Sequence, residues 1–312
     1  MRIAFFGTPS FSVPILKSAA ASGCDVVLAV SRPDRPVGRK QELLPVPVKA
    51  EALRLGIPVL QPEKVRSADF LEQYKTFKPD INIVAAFGQI MPDELLYFPK
   101  HHSINIHASL LPKYRGASPI NRAIISGDPV TGISYQMMEA RLDAGDVIFS
   151  SEIPITDSDT SETLFSSLSA LAAQTLPQVL DLIKSGKAVK ARQDETLATY
   201  AGLLKKEDGL IDFDAPSRCV FNLIRGLLPW PCAYTYLDGQ KVKIFSSEPL
   251  ETSTGAAPGT VTGCVKNTGF TVECRGSSLL VKEAAPEGGK RMPAWNFFIG
   301  RKDLQGKTLK KE

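Results

Sequence analysis

Asp25-Val26-Val27-Leu28-Ala29-Val30-Ser31 is a run of five apolar residues, three of them valine, closed at each end by a polar one. A strand with one wet face alternates apolar and polar residues. An unbroken β-branched run instead belongs to a strand covered on both faces, as in a parallel sheet flanked by helices. The same texture recurs on either side. Arg2–Gly7 is an apolar strand ending in glycine, with a helical stretch Ser10–Ser22 before the valine run. Downstream, Val48–Leu55 and Ser67–Phe77 have helical composition, while Ile57–Leu60, Asp80–Phe87, His102–His107, Gly132–Met138 and Val147–Ile155 read as strands. Pro92–Tyr97 and Ser118–Ser126 are short helices, and Ser161–Lys184 is a long one with Asp159 and Glu162 spaced as a capping-box pair. Strands alternating with helices over about 150 residues predict an α/β fold, a Rossmann-like and mostly parallel sheet covered on both faces.

Such sheets bind ligands beyond the carboxyl ends of their strands, near a switch in strand order. Gly7-Thr8-Pro9, Phe87-Gly88-Gln89-Ile90 and the stretch from His107 to Pro112 all begin there. After Lys190 the texture changes to short β-rich segments: Ala233–Leu237, Lys241–Phe245, Thr260–Val265, Phe270–Cys274 and Leu279–Ala284. Turn residues separate them, which predicts a small antiparallel, OB-like β-barrel. The expected organisation is therefore a catalytic domain over 1–187, a linker over 188–203 and a barrel domain over 204–312. Trp295–Gly300 should pack on the barrel, and the lysine-rich tail from Lys307 onward is expected to be disordered.

Composition removes several function classes. The chain has 312 residues, 43% of them hydrophobic and 22% charged, with no apolar run long enough for a membrane span. Met1 leads directly into the first strand, leaving no place for a cleavable export signal, so a cytoplasmic location is expected. Five cysteines without CxxC spacing and only three histidines disfavour a disulfide framework or a metal centre. The formal charge of +4 resides wholly in residues 190–312, with 18 Lys/Arg against 14 Asp/Glu; residues 1–189 carry 19 of each. A basic C-terminal part is compatible with a polyanionic partner. G-x-G-x-x-G, G-x-x-x-x-G-K-[ST] and G-x-S-x-G are all absent, which argues against NAD, ATP and serine-hydrolase chemistry.

The chemistry lies in Asn105-Ile106-His107-Ala108-Ser109-Leu110-Leu111-Pro112. Side chains at i and i+2 of a strand share a face, so Asn105 and His107 aim at one point. One is a fixed amide donor; the other exchanges protons near neutral pH. Arg141-Leu142-Asp143-Ala144-Gly145-Asp146 offers a carboxylate on a loop of small residues. An amide, an imidazole and a carboxylate suit acyl transfer to an amine, in which an oxyanion must be held and a proton removed. Taken singly, each residue reads as structural; gathered on one α/β domain, they read as a site.

These stretches, together with Phe6-Gly7-Thr8-Pro9, Pro33-Asp34-Arg35-Pro36-Val37-Gly38-Arg39, Tyr114-Arg115-Gly116-Ala117-Ser118-Pro119-Ile120 and Ile224-Arg225-Gly226-Leu227-Leu228-Pro229-Trp230-Pro231, are similar to the folate-dependent formyltransferase family over nearly the full length. The resemblance implies the formyltransferase fold, Asn105, His107 and Asp143 as catalytic trio, and 10-formyltetrahydrofolate as formyl donor. It assigns Ser109, Leu110, Leu111, Pro112, Phe87, Gly88, Gln89 and Ile90 to the folate, and implies no metal. The PDRPxGR loop points to the branch acting on initiator Met-tRNA, where the methionine α-amine is the acceptor and N-formylmethionyl-tRNA for translation initiation is the product. Arg39 would then be the foremost tRNA contact, with Arg35 and Lys40 in the same loop, and Lys206 would contribute from the C-terminal barrel. The basic loop 32–47, stiffened by Pro33, Pro36, Pro45 and Pro47, suits phosphate or an unpaired base. A monomeric enzyme is expected. Arg141 departs from the family's frequent glycine at that position. Rival readings are a formyltransferase acting on an amino-sugar nucleotide, a non-catalytic RNA-binding module, and a hydrolase of the formyl donor.

Overall fold

The computed structural model describes residues 1–37, 42–301 and 303–310. In order come β1 (Arg2–Gly7), α1 (Ser12–Ala21), β2 (Asp25–Val30), the paired β3 (Pro36–Val37) and β4 (Glu42–Leu43), α2 (Pro47–Arg54), β5 (Val59–Leu60), α3 (Ala68–Thr76), β6 (Ile81–Ala85), α4 (Asp93–Leu96) and β7 (Ser103–His107). They are followed by β8 (Arg115–Gly116), α5 (Pro119–Ser126), β9 (Val130–Met137), β10 (Val147–Pro154), α6 (Ser161–Lys184) and β11 (Tyr200–Ala201). The rest comprises α7 (Ser217–Gly226), β12 (Ala233–Leu237), β13 (Gln240–Leu250), β14 (Val261–Val265), β15 (Gly269–Cys274), β16 (Ser277–Pro286), β17 (Met292–Pro293) and α8 (Ala294–Ile299). The chain divides into two compact units. Residues 1–119, 130–154 and 165–201 form one; residues 120–129, 155–164 and the described part of 202–312 form the other.

The first unit is built on a seven-stranded sheet in the order β10-β9-β7-β6-β1-β2-β5. The strands β1, β2, β5, β6 and β7 run parallel; β9 alone is reversed, pairing antiparallel with β7 on one side and β10 on the other. Val26–Val30 is buried throughout, as is the whole of β6. The unbroken apolar runs thus fill the centre of the sheet, where both faces are covered. The chain leaves β1 toward β2 and β5, then crosses back to β6 on the other side. That reversal opens the crevice in which doubly wound sheets hold ligands. The β1 and β6 exits are tied there, Thr8 Oγ1 donating to the Phe87 carbonyl at 3.0 Å and Ser12 Oγ to the Ala85 carbonyl at 2.6 Å.

The second unit is antiparallel, in the order β12-β13-β16-β15-β14 with β17 beside β16. The β13 strand continues past Phe245, where the sequence reading ended it, through register irregularities at Ile244–Ser247. The tail corrects another expectation. Thr308 bridges Thr260 beside β14, and Lys310 bridges Tyr236 in β12, so 307–310 is ordered and spans the two outer strands. Main-chain demand explains this. The Leu309 N–H donates to the Gly259 carbonyl at 2.8 Å, Lys310 and Tyr236 exchange bonds of 2.9 and 3.1 Å, and the Leu309 side chain is 3% exposed. Edge strands left unpaired would present open donors and acceptors. Replacing Leu309 with alanine should cost about 2–5 kcal/mol in urea unfolding. Replacing Lys310 with alanine, which leaves its main-chain bonds in place, should stay within about 0.5 kcal/mol.

At the start of α6 the cap also differs from the sequence reading. Thr160 and Thr163 bond reciprocally, main chain to hydroxyl, at 2.9 and 3.2 Å. Asp159 is engaged one turn earlier, accepting from the Thr156 N–H at 2.7 Å.

Candidate active site

The carboxyl end of β7 carries Asn105 and His107. The antiparallel register with β9 sets Gln136 opposite Asn105 and Ser134 opposite His107. Directly opposed residues share a face, so four polar side chains gather there. The β9–β10 loop folds back over them and delivers Asp143. Its Oδ1 accepts from Gln136 Nε2 at 2.7 Å and from Asn105 Nδ2 at 3.3 Å, and its Oδ2 accepts from the Gly116 N–H at 2.9 Å. His107 Nδ1 stands 3.7 Å from Asp143 Oδ2, while Nε2 faces the Tyr114 carbonyl at 2.9 Å. A carbonyl only accepts, so the proton sits on Nε2 and Nδ1 is the nitrogen turned to the carboxylate.

This convergence costs backbone strain. Asp143 has φ of +47°, a left-handed conformation that aspartate tolerates at about 1 kcal/mol. Gly116 lies at φ +115°, where a Cβ would stand 2.7 Å from the Ala201 carbonyl oxygen. Only glycine lets β8 pair with β11 while presenting its N–H to Asp143. At Gly145 a Cβ would sit 1.7 Å from the Met137 carbonyl oxygen, so the loop closes directly on β9. Arg141, the departure noted in the sequence, is exposed and pairs with Glu139 at 3.0 Å and Glu195 at 3.7 Å. It points away from the carboxylate cluster and into these surface pairs.

The expected trio is thus brought together. Sequence reasoning missed Gln136, Gly116 and the brace from residues 191–195. The period-two pattern of β9 held the only signal for Gln136, as a lone amide within a buried strand. Of segment 188–203, expected as a linker, the part up to Ala201 belongs to the first unit, where Ala191 pairs with Val147 and β11 with β8. Arg115, at the start of β8, is 1% exposed.

The residues assigned to folate divide by orientation. Phe87 is buried, edge-on to Phe6 with ring centroids 5.3 Å apart, and the Gln89 amide is engaged by the Val65 N–H and the Pro62 carbonyl at 3.1 Å each. Ser109 is fully buried, and its hydroxyl donates to the Lys113 carbonyl at 2.6 Å. These three shape the loops. Gly88 and Ile90 are exposed, Ile90 at 94%, and Leu110, Leu111 and Pro112 are half-buried. In the basic loop, Asp34 anchors the base through Lys49 at 2.5 Å, the Val46 N–H at 3.0 Å and Gln61 at 2.9 Å. Burial pushes its carboxyl up, but these bonds outweigh that and hold it below the usual carboxylate range. Arg35 is exposed and paired with Glu63 at 2.7 Å. Arg39 and Lys40 lie outside the described residues. Lys206, in the second unit, lines a pocket of about 470 Å³ with Trp230, Tyr234, Lys241, Lys243 and Arg291. Among the described residues no three metal-ligating side chains gather, and no helix is long and apolar enough to cross a membrane.

Comparison with known proteins identifies the family. Residues 1–180 match the formyl transferase family, and residues 203–302 match the formyl transferase C-terminal domain. The methionyl-tRNA formyltransferase of Bacillus subtilis is 46% identical over 308 residues, covering 99% of this chain and 97% of that protein. That of Geotalea daltonii is 44% identical, covering 99% and 98%. Among solved structures, methionyl-tRNA formyltransferase from Clostridium thermocellum superposes with a TM-score of 0.56 at 18% identity, over 82% of this chain and 95% of that one. An N-formyltransferase from Helicobacter canadensis gives 0.65 at 16% identity, over 89% and 98%. At those identities the structural likeness speaks to fold, and the full-length sequence relatives narrow the group. By its family models and its full-length relatives the chain belongs to the formyltransferase family, among the methionyl-tRNA formyltransferases.

Proposed function

We propose that this chain transfers the formyl group of 10-formyltetrahydrofolate to the α-amino group of methionine on initiator tRNA, with Asn105, His107 and Asp143 as its catalytic residues. The observation that carries this reading is the meeting of the amide, the imidazole Nδ1 and the carboxylate within 3.3–3.7 Å at the end of one strand. An α-amine titrates near pH ~8, so a useful fraction is neutral at pH ~7 and attacks the formyl carbon without strong activation. Asn105 Nδ2 holds the oxyanion formed on the carbonyl oxygen. His107 Nδ1 accepts the proton released as the new C–N bond forms. It returns that proton to N10 of the folate as the old C–N bond breaks. The Tyr114 carbonyl orients the imidazole through Nε2, and Asp143, fixed by three donors, steadies the charged form once Nδ1 is protonated.

Gly88, Ile90 and Leu110–Pro112 are assigned to the folate, with Phe87, Gln89 and Ser109 shaping that wall. Arg39, with Arg35 and Lys40, is assigned to the acceptor end of the tRNA. Lys206 and its aromatic and cationic neighbours in the second unit are assigned to the RNA backbone and a stacked base. All three catalytic residues come from one chain, so a monomer suffices, working in the cytoplasm where charged tRNA is made.

Labelled formyl transfer to Met-tRNA, run beside an amino-sugar nucleotide, tests the reading. Product on the tRNA alone supports it, and product on the sugar alone overturns it. Arg39→Ala is expected to raise KM for Met-tRNA about 10-fold or more, the worth of one charged hydrogen bond, with KM for the folate unchanged. Unchanged kinetics with tRNA would remove Arg39 from the contact.

A further inference from the structure

We infer that Gln193 is a positioning residue that fixes the backbone of the Asp143 loop for catalysis. Its Nε2 donates to the carbonyls of both Asp143 and Gly145, at 2.9 and 2.7 Å, and lies 3.5 Å from Gln136 Oε1. One amide nitrogen thus grips the loop on either side of Ala144. It also abuts the side chain that holds Asp143 Oδ1. The amide's orientation is set from behind, because Gln193 Oε1 accepts from Arg115 Nε at 3.1 Å and Nη2 at 2.8 Å. A guanidinium only donates, so Nε2 must face the loop.

Arg115 is clamped in turn by Glu195, its Nη1 and Nη2 donating to the two carboxylate oxygens at 3.0 and 3.1 Å. The pair shows in both groups: the Glu195 bond raises Arg115 above its ordinary range, and the Arg115 bond lowers Glu195. Glu195, Arg115 and Gln193 therefore form a rigid rod from the surface to the loop. Gln193 is 6% exposed, so it acts behind the site. The loop needs such a brace. Asp143 holds a left-handed conformation at φ +47°. Without fixed partners for the flanking carbonyls, that strain can relax by turning the carboxylate away from His107.

The inference rests on the reading of Asp143 as catalytic, and a double-mutant cycle separates the two. Gln193→Met keeps the length and removes both the donors and the acceptor. It is expected to lower kcat about 10- to 100-fold through misplacement of Asp143, with KM for both substrates within about twofold. Added to Asp143→Ala, the same change should alter kcat by less than about twofold, because the group it positions is already gone. A general structural defect would instead lower kcat equally in both backgrounds. Multiplicative losses, or near-normal turnover in Gln193→Met beside an inactive Asp143→Ala, would overturn the inference. Turnover retained by Asp143→Ala would overturn the catalytic reading and the inference with it. Should Gln193→Met fold poorly, Glu195→Gln loosens the same rod from its exposed end. It should lower kcat in the parent but not in Asp143→Ala, and equal losses in both would count against the proposal.

Discussion

Replacing Asn105 or His107 with alanine is expected to lower formyl transfer about 10²–10³-fold in kcat for each, with Met-tRNA binding preserved. For Asn105 the loss is that of one preorganised oxyanion donor, and its bond to Asp143 is long at 3.3 Å, so the carboxylate keeps its two shorter donors. The effect should therefore fall on kcat with little change in fold. His107 is more entangled. Its Nε2 bond to the Tyr114 carbonyl helps shape the segment from which Gly116 reaches Asp143. His107→Ala should accordingly be the more damaging of the two and should lower thermal stability slightly as well. Single-turnover assays with labelled donor, paired with retention of tRNA on a filter, separate chemistry from binding. Turnover close to that of the parent in either variant would refute the assigned mechanism.

Gly145→Ala should be nearly as severe, although it removes nothing that touches substrate. A Cβ at this position would stand 1.7 Å from the Met137 carbonyl oxygen, and non-bonded carbon cannot approach within about 3 Å, so the loop must lift from β9 by more than an ångström. The bond from the Met137 N–H to the Asp146 carbonyl, 2.8 Å, and that from Gln193 to the Gly145 carbonyl, 2.7 Å, both lie in the path of that shift. Asp143, two residues upstream, moves with them. A displacement of that size costs about 10²-fold in rate, and overpacking adds about 1–3 kcal/mol of destabilisation. Steady-state kinetics with a thermal melt check both. Parental kcat and melting temperature would mean that the loop has room the close contact denies.

Periodicity made most of the first unit legible. The Val26–Val30 run declares burial on both faces, and burial is a local demand that the strand's own composition must meet. The facing of Asn105 and His107 was equally readable, because strand geometry alone fixes it. Register between distant strands is not written locally. Gln136 reaches Asp143 only because β7 and β9 align Asn105 with it, and nothing in the polar stretch around Gln193 announces the guanidinium behind it. Main-chain pairing hid the 307–310 segment too. Its lysines read as solvated tail, while its order comes from N–H and C=O groups that every residue carries and from the single apolar anchor Leu309. At α6, Asp159 and Glu162 have the right spacing for a cap, yet Asp159 takes Thr156 on one oxygen and the Thr163 hydroxyl on the other, and the main-chain N–H bonds are exchanged between Thr160 and Thr163.

The second unit draws on residues far apart in the chain. Asn121 and Ser161 both donate to the Gly226 carbonyl, at 2.8 and 2.5 Å, and Arg225 Nη1 donates to the carbonyls of Thr156 and Asp159 at 2.7 and 3.0 Å. No single scissor cut between residues 187 and 203 yields two self-sufficient halves. A fragment ending there would carry two stranded segments whose hydrogen-bonding partners had been left on the other piece. Recombinant dissection of this protein is better attempted by adding the two pieces back together than by studying either by itself.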